Sequence, residues 1–315
     1  MNDLLKPNCM YRLLFYYSVV VYYFEAYGCE SGGVSFGDVK LTDLDYADDV
    51  AILAELMDII HLALEAMNEE TTPLGLSINW DKTKIQSLSD YIPAPTPPNM
   101  DNYQVVEKFC FLGNIVSSDC RSKADIQRRL GLATSALARL NTIWKERCLS
   151  RKTKLSLYNS LVLSILLYGS ETWTLSAELE RKLDAFDTKA LRHIEGIYWQ
   201  DFMNNKDLRL FTNQPPVSHL IRASRLRLFG HIARADPPME PVLLLKGPAP
   251  NLPCPRGRPR LRWTDNLEED LMALGLNLSS GWRLAQNRLD WKLRCGDAMS
   301  SRACEIDDDD DDDGT

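Results

Sequence analysis

The sequence is poor in histidine, and it lacks close cysteine pairs, internal repeats and long hydrophobic runs. Only four His occur among 315 residues, at 61, 193, 219 and 231. The eight Cys, at 9, 29, 110, 120, 148, 254, 295 and 304, never fall in a CxxC pair. A Cys/His zinc site needs ligand pairs a few residues apart, so that class is excluded. A disulfide framework suits a shorter, loop-rich secreted chain, and the expectation is eight reduced thiols. The most apolar stretch, Leu13–Phe24, is shorter than the roughly 20 residues that a membrane helix needs. Lys6 and Arg12 before it and Ala26-Tyr27-Gly28 after it give the outline of a signal-peptide core. Its four tyrosines suit a buried helix or strand of the first domain better.

Charge of one sign is scarce in each part of the chain. Residues 1–118 hold 6 basic and 17 acidic side chains, 119–304 hold 30 and 19, and 305–315 hold eight acids and no base. The net charge of −8 therefore hides an acidic front, a basic body and an acidic tail. Such a body points to nucleic acid or another polyanion. A hydrophobic content of 45% and a charged content of 25% are those of a globular chain. The length allows one large or two to three small domains.

The pattern along the chain predicts an α+β protein. Val39–Tyr46 and Val50–Ala54 read as two short strands joined by Ala47-Asp48-Asp49. Leu56, Ile59, Ile60, Ala63, Leu64 and Met67 follow at helical spacing, and Pro73 and Gly75 end that helix. Leu76-Ser77-Ile78 reads as a strand, 91–102 as a proline-rich loop, and Phe109–Val116 as a hairpin broken at Gly113. From 122 the period is helical. Ser122 with Asp125 resembles a capping box, and Ile126, Leu130, Ala133, Leu137, Leu140 and Trp144 line one face. Further helices are expected after Ser150, from about Glu178 to Ile194, and over about 217–233. Eight of the sixteen prolines lie in 236–260, which marks a linker. Two short helices carrying Trp263, Trp282 and Trp291 should follow, and the seven aspartates 307–313 form a tail that cannot fold alone.

The sharpest chemical feature is Leu44-Asp45-Tyr46-Ala47-Asp48-Asp49-Val50-Ala51-Ile52-Leu53. Two adjacent carboxylates sit between apolar flanks. Nucleotidyl transfer needs carboxylates held rigidly together to bind two divalent metals roughly 3.5–4 Å apart. Hard cations such as Mg²⁺ prefer these oxygens. A solvated Asp-Asp turn explains the same residues without chemistry.

At these residues the sequence resembles the reverse transcriptase of a non-LTR retrotransposon, of the type that also carries an apurinic-like endonuclease. Leu41 through Asp49 resemble the family's catalytic palm hairpin. Gly75-Leu76-Ser77-Ile78-Asn79 with Lys82-Thr83-Lys84 resembles the next palm motif. Phe111-Leu112-Gly113 resembles the hairpin that grips the primer end. Leu167 through Trp173 (Leu-Tyr-Gly-Ser-Glu-Thr-Trp) resemble the thumb signature. Arg227 through Arg234, and Arg256-Gly257-Arg258-Pro259 through Trp263, resemble the C-terminal stretch. The resemblance covers roughly residues 13–302 and implies a metal ligand at Asp48, a supporting carboxylate at Asp49, and Lys82 near the leaving pyrophosphate. The implied cofactor is Mg²⁺ or Mn²⁺, and the implied partners are an RNA template and a DNA primer. No membrane role is implied, and the location is nuclear or cytoplasmic. Lys82 and Lys84 also read as an ordinary solvated basic turn.

The resemblance departs at the front. The family's palm carries a third carboxylate on an earlier strand, a Gly-bearing motif and a fingers domain, and only 47 residues precede Asp48. Asp3 is the sole acid before Glu25. Leu13-Leu14-Phe15 resembles the start of the helix just before the hairpin. No endonuclease domain is present either. The expectation is a truncated polymerase that is inactive alone, because in-line phosphoryl transfer depends on positioning and charge neutralisation.

The basic body supplies a second reading. Arg128, Arg129, Arg139, Lys145, Arg147, Arg151, Lys152 and Lys154 cluster around the first two thumb helices. In the family the thumb tracks the template–primer duplex, largely through phosphate; a solvated helix face is the bland equivalent. Pro255 through Arg260 match an AT-hook core, with Arg256, Arg258 and Arg260 as its cations, although the family's C-terminal stretch covers the same residues. Trp263, Trp282 and Trp291 read as core, with base stacking as the other option. His231 reads as a packing or capping residue. The expected organisation is a truncated palm lead-in (1–37), a partial palm (38–118), a helical thumb-like domain (119–235), a proline-rich basic linker (236–260), a small helical domain (261–304) and an acidic tail (305–315). A non-catalytic nucleic-acid-binding remnant working through 119–304 is the alternative function, and a helical interaction protein is the third.

Overall fold

The computed structural model describes residues 18–23, 34–36, 39–46, 49–54, 57–75, 78–87, 104–235 and 260–300. Leu13-Leu14-Phe15, the loop 91–102, the linker residues 236–259 and the acidic tail lie outside the described residues. The chain is α+β and mostly helical. It divides between Arg121 and Ser122 into two compact units.

The first unit is built on a sheet. Its strands are β1 (Ser18–Tyr23), β2 (Val34–Phe36), β3 (Val39–Leu41), β4 (Asp43–Tyr46), β5 (Asp49–Ala54), β6 (Lys84–Ser87), β7 (Gln104–Val105), β8 (Lys108–Phe111) and β9 (Asn114–Ser117). Five of them form one sheet in the order β4-β5-β1-β6-β7; β2 pairs with β3 and β8 with β9. β1 is parallel to both β5 and β6, whereas β4 is antiparallel to β5. The stretch expected as one strand, Val39–Tyr46, is broken at Thr42. Its first half pairs with β2 and its second with β5.

The last four residues of β5, Ala51-Ile52-Leu53-Ala54, are all buried, whereas Asp49 and Val50 are half-buried. Alternate side chains point to opposite faces of a strand, so a continuous apolar run means that both faces are covered. Ile52 and Ala54 pack with Ile60 and Leu64 of helix α1 (Met57–Thr71) and with Ile78 and Ile85. Ala51 and Leu53 pack against Leu41, Phe109, Phe111 and Val116. The sheet thus carries α1 on one face and the β8–β9 hairpin on the other. Gln86 anchors that hairpin from below: its buried Nε2 donates to the carbonyls of Glu107 at 2.9 Å and Val116 at 3.1 Å.

Every described element of the second unit is helical. The helices are α2 (Lys123–Arg139), α3 (Asn141–Lys145), α4 (Arg151–Tyr158), α5 (Ser164–Leu166), α6 (Ala177–Glu195), α7 (Asn205–Thr212), α8 (Val217–Ala233), α9 (Trp263–Ala273), α10 (Leu278–Ala285) and α11 (Arg288–Ser300). A π-helical turn, Asn159–Leu163, joins α4 to α5. The expected helical faces are met: Ile126, Ala133 and Trp144 are buried, and Leu130, Leu137 and Leu140 pack against the same cluster. The expected capping box at Ser122 is absent. Ser122 Oγ instead accepts the Thr174 amide at 2.9 Å, and Asp125 accepts the indole N–H of Trp173 at 2.8 Å. Local capping yields to a tertiary bond between residues about fifty positions apart, because a buried indole N–H needs an acceptor.

α8 is buried on most sides, and α9, α10 and α11 pack on it. Leu226 and Phe229 share a cluster with Leu267, Leu271, Ala285 and Trp291; Trp263 and Trp282 pack against it. Trp291 is a core residue, as the helical context predicts, while Trp263 and Trp282 are half-buried against it. Arg222 and Arg225 each donate to Asp270 at 2.8 Å inside this seam. Among the described residues no helix is long and apolar enough to cross a membrane.

Candidate functional site

β5 begins at Asp49, which pairs with Tyr46 across the hairpin. The hairpin is therefore one residue tighter than expected, since Asp49 belongs to the strand. Asp48 lies outside the described residues. On the other side of β5 the neighbour is β1, which places Ser18 at the register position of Asp49. No acid occurs in Ser18–Tyr23.

The turn before β6 is held by Asn79. Its Oδ1 accepts the Lys82 amide at 3.1 Å, and its carbonyl accepts the Thr83 amide at 3.0 Å and the Thr83 hydroxyl at 2.8 Å. Thr83 is buried, while Asp81 and Lys82 are exposed. Lys84 is tied down: its Nζ donates to the Asp81 carbonyl at 2.7 Å and to Gln104 Oε1 at 2.6 Å.

The β8–β9 hairpin turns on two residues, Leu112 and Gly113, with φ of 46° and 82°. Two positive φ angles define the tight turn whose twist suits a two-residue hairpin. Glycine adopts that conformation freely; leucine is strained in it. The Leu112 side chain is nonetheless exposed.

These three pieces meet. Asp49, Asp81, Lys82, Lys84, Phe109, Cys110 and Phe111 line one open cavity of about 320 Å³. Of the site residues expected from sequence, Asp49, Lys82 and Phe111 are brought together. Leu112 and Gly113 form the turn directly after Phe111. Asp81, Lys84, Phe109 and Cys110 are additions. Lys84 stood within the quoted motif, whereas no pattern marked Asp81 or Cys110. The donor chemistry of Asp49, a hard carboxylate oxygen, suits Mg²⁺ or Mn²⁺. Among the described residues, however, no three His, Cys, Asp or Glu side chains converge to hold a metal ion.

The expected nucleic-acid contacts of the second unit are placed as follows. Arg128 is half-buried. Arg129 is 7% exposed, with its guanidinium 4.4 Å above the Tyr168 ring. It is directed into the fold and is not part of an open basic face. Arg260 is exposed, and Arg256 and Arg258 lie outside the described residues. Arg139, Lys145, Arg147, Arg151 and Lys152 are exposed on and around α3 and α4.

Comparison with known proteins gives one informative likeness. The chain is 24% identical to an uncharacterized transposon-derived protein of Caenorhabditis elegans over 266 residues, covering 80% of this chain and 94% of that protein. No protein-family model matches the chain. No solved structure matches it either.

Proposed function

We propose that the chain is transposon-derived and descends from the RNA-directed DNA polymerase of a retrotransposon, keeping part of the nucleotidyl-transfer site. The observation that carries this reading is the meeting of Asp49, Lys82 and Phe111 at one cavity. These residues lie about thirty positions apart and come from three motifs that resemble successive polymerase motifs. The likeness to a transposon-derived protein supports the origin.

In this reading Asp48 and Asp49 hold Mg²⁺ or Mn²⁺, which when bound neutralises charge on the transferred phosphoryl group. Lys82 extends its ammonium toward the leaving pyrophosphate, where it lowers the cost of developing negative charge. The Phe111 turn, with Leu112 and Gly113, borders the cavity and positions a primer end. Among the described residues no third carboxylate joins Asp49, and a carboxylate pair alone binds an ion weakly, so the site as described does not extend a primer. Mn²⁺ titration with a deoxynucleoside triphosphate, followed by electron paramagnetic resonance, tests the site. Weak binding that is lost in Asp48→Asn/Asp49→Asn and reduced in Lys82→Ala is expected; unchanged binding in these variants overturns it. Primer extension on an RNA template tests the inactivity: robust extension that disappears in Asp48→Ala refutes it.

A second reading rests on a separate observation. The exposed cations of α3 and α4 form a basic stretch that binds nucleic acid without catalysis. Affinity that falls steeply with salt supports it, and absence of binding at low salt removes it.

A further inference from the structure

The loop between α6 and α7 exposes three aromatic rings. Tyr198 is 69% exposed, Trp199 80% and Phe202 89%. Folding drives such side chains inward, because each ring carries a large apolar surface. Scattered single apolar residues on a surface need no explanation, but three aromatics within five positions do.

The loop is not slack. Gly196 closes α6, with Gly196 N–H bonded to the His193 carbonyl and Ile197 N–H to that of Arg192. Asp201 Oδ2 accepts the Tyr198 amide at 2.6 Å. Arg192 reaches across to the Met203 carbonyl at 2.6 Å and to Asn205 Oδ1 at 3.1 Å. Phe202 itself has φ of 48°, a conformation that is strained for a bulky residue. The chain therefore holds an exposed ring in a strained backbone, and retained strain of this kind is characteristic of working surfaces.

The surroundings are cationic. Segment 139–154 carries six basic side chains and one acid. It reaches the loop's borders through Arg151. That guanidinium lies 3.5 Å from the Phe211 ring centroid on α7 and bonds Glu195 at the end of α6 at 3.0 Å. Of the nearby carboxylates, Glu195 is ion-paired with Arg151, whereas Asp201 accepts only the Tyr198 amide and Asp207 at the start of α7 is exposed. Exposed aromatics and a predominantly basic segment that reaches their loop through Arg151 are the two components of single-strand recognition, rings for bases and cations for phosphates.

We propose that Tyr198, Trp199 and Phe202 form a base-stacking platform for single-stranded nucleic acid, with Arg147 and Lys152 holding its phosphates. The platform lies in the second unit and stands or falls independently of the polymerase reading. Its occupant has unstacked bases and a polyanionic backbone, which separates it from a duplex and from a second copy of the chain.

Trp199 supplies the readout, because the other six tryptophans are buried or half-buried. Titration of the full chain with short oligo(dT) or oligo(U) should quench its emission. Trp199→Ala/Phe202→Ala should weaken binding at least roughly tenfold, read by the fluorescence anisotropy of a labelled oligonucleotide. Arg147→Ala/Lys152→Ala should weaken it and flatten its salt dependence. Phe202→Gly, which relieves the backbone, should keep the native circular dichroism and still lose affinity. Leu289→Ala, at an exposed apolar side chain of α11 with no place in either site, should bind as the native chain does. Equal affinity in the Trp199/Phe202 double variant overturns the proposal. So does duplex binding as tight as single-strand binding without quenching. Loss of self-association in sedimentation with unchanged oligonucleotide affinity makes the patch a contact between copies and also overturns it.

Discussion

The indole of Trp291 lies against Gly230. A Cβ placed on Gly230 would stand 2.3 Å from Trp291 Nε1, closer than any real contact allows. The same Nε1 donates to the Leu226 carbonyl at 2.9 Å. Gly230 sits in the last turn of α8, where alanine would ordinarily gain up to about 1 kcal/mol. The close approach reverses that sign. Gly230→Ala must push the indole away, at about 1–3 kcal/mol for overpacking plus the loss of a buried hydrogen bond. Urea unfolding should show a net loss. In Gly230→Ala/Trp291→Ala the two effects should fail to add, since they act on one contact.

Asp270 accepts from both Arg222 and Arg225, and all three are buried. Burial pushes the Asp270 carboxyl above its usual range, and the two guanidinium groups pull it back. Asp270→Ala leaves two buried cations facing each other. Removing one partner of a buried pair costs about 3–5 kcal/mol, so a large fall in the unfolding midpoint is expected. A change below about 1 kcal/mol would show that the triad is solvated.

The Cys295 thiol is buried, and burial pushes it up to about 11 from the ordinary 9.0; Arg227 and Arg234 act in the opposite direction. The folded state therefore keeps this proton where the unfolded state has released it. The contribution to stability is complete below about pH 9 and is lost as pH rises through about 11. The melting temperature of Cys295→Ala should fall less over this window than that of the native chain. Alkylation mapped by mass spectrometry at mildly alkaline pH should label the exposed Cys110, Cys120 and Cys148 well before Cys295.

Leu112 holds φ of 46° at the tip of the β8–β9 hairpin. Asparagine tolerates this conformation far better. Leu112→Asn should stabilise the first unit by about 1 kcal/mol, read as a higher midpoint in chemical denaturation. If the exposed leucine serves the cavity, the same change should weaken triphosphate or primer binding while the fold gains.

The sequence made the long elements legible and left the junctions obscure. The faces of α1, α2 and α6 follow from apolar spacing alone, whereas α8 is legible as a helix without a face, being buried on most sides. α7 escaped notice because its eight residues make only about two turns, of which Leu208 and Thr212 are buried, too short a stretch for a helical period to stand out. β1 was ambiguous: an apolar run without alternation fits a central strand or a buried helix equally well. Ser122 and Asp125 had the spacing of a cap, yet tertiary bonds to Thr174 and Trp173 took both side chains. At the site, Asp49, Lys82 and Phe111 were found through motif order, which carries no distances. Arg129 could not be separated from its neighbour Arg128 by sequence, because a buried guanidinium stacked on Tyr168 leaves no pattern in the chain.

Asn266 reads the backbone of Leu175 completely: its Oδ1 accepts the amide at 2.8 Å and its Nδ2 donates to the carbonyl at 3.0 Å. Together with Asp270, it stitches α9 to parts of the chain some fifty to ninety positions earlier. Cohesion along this seam is noncovalent, so nothing in it depends on an unbroken peptide between 235 and 260. A protease nick in that interval should leave two fragments that co-migrate on gel filtration, because the bonds from Asn266 and Asp270 hold them together without it.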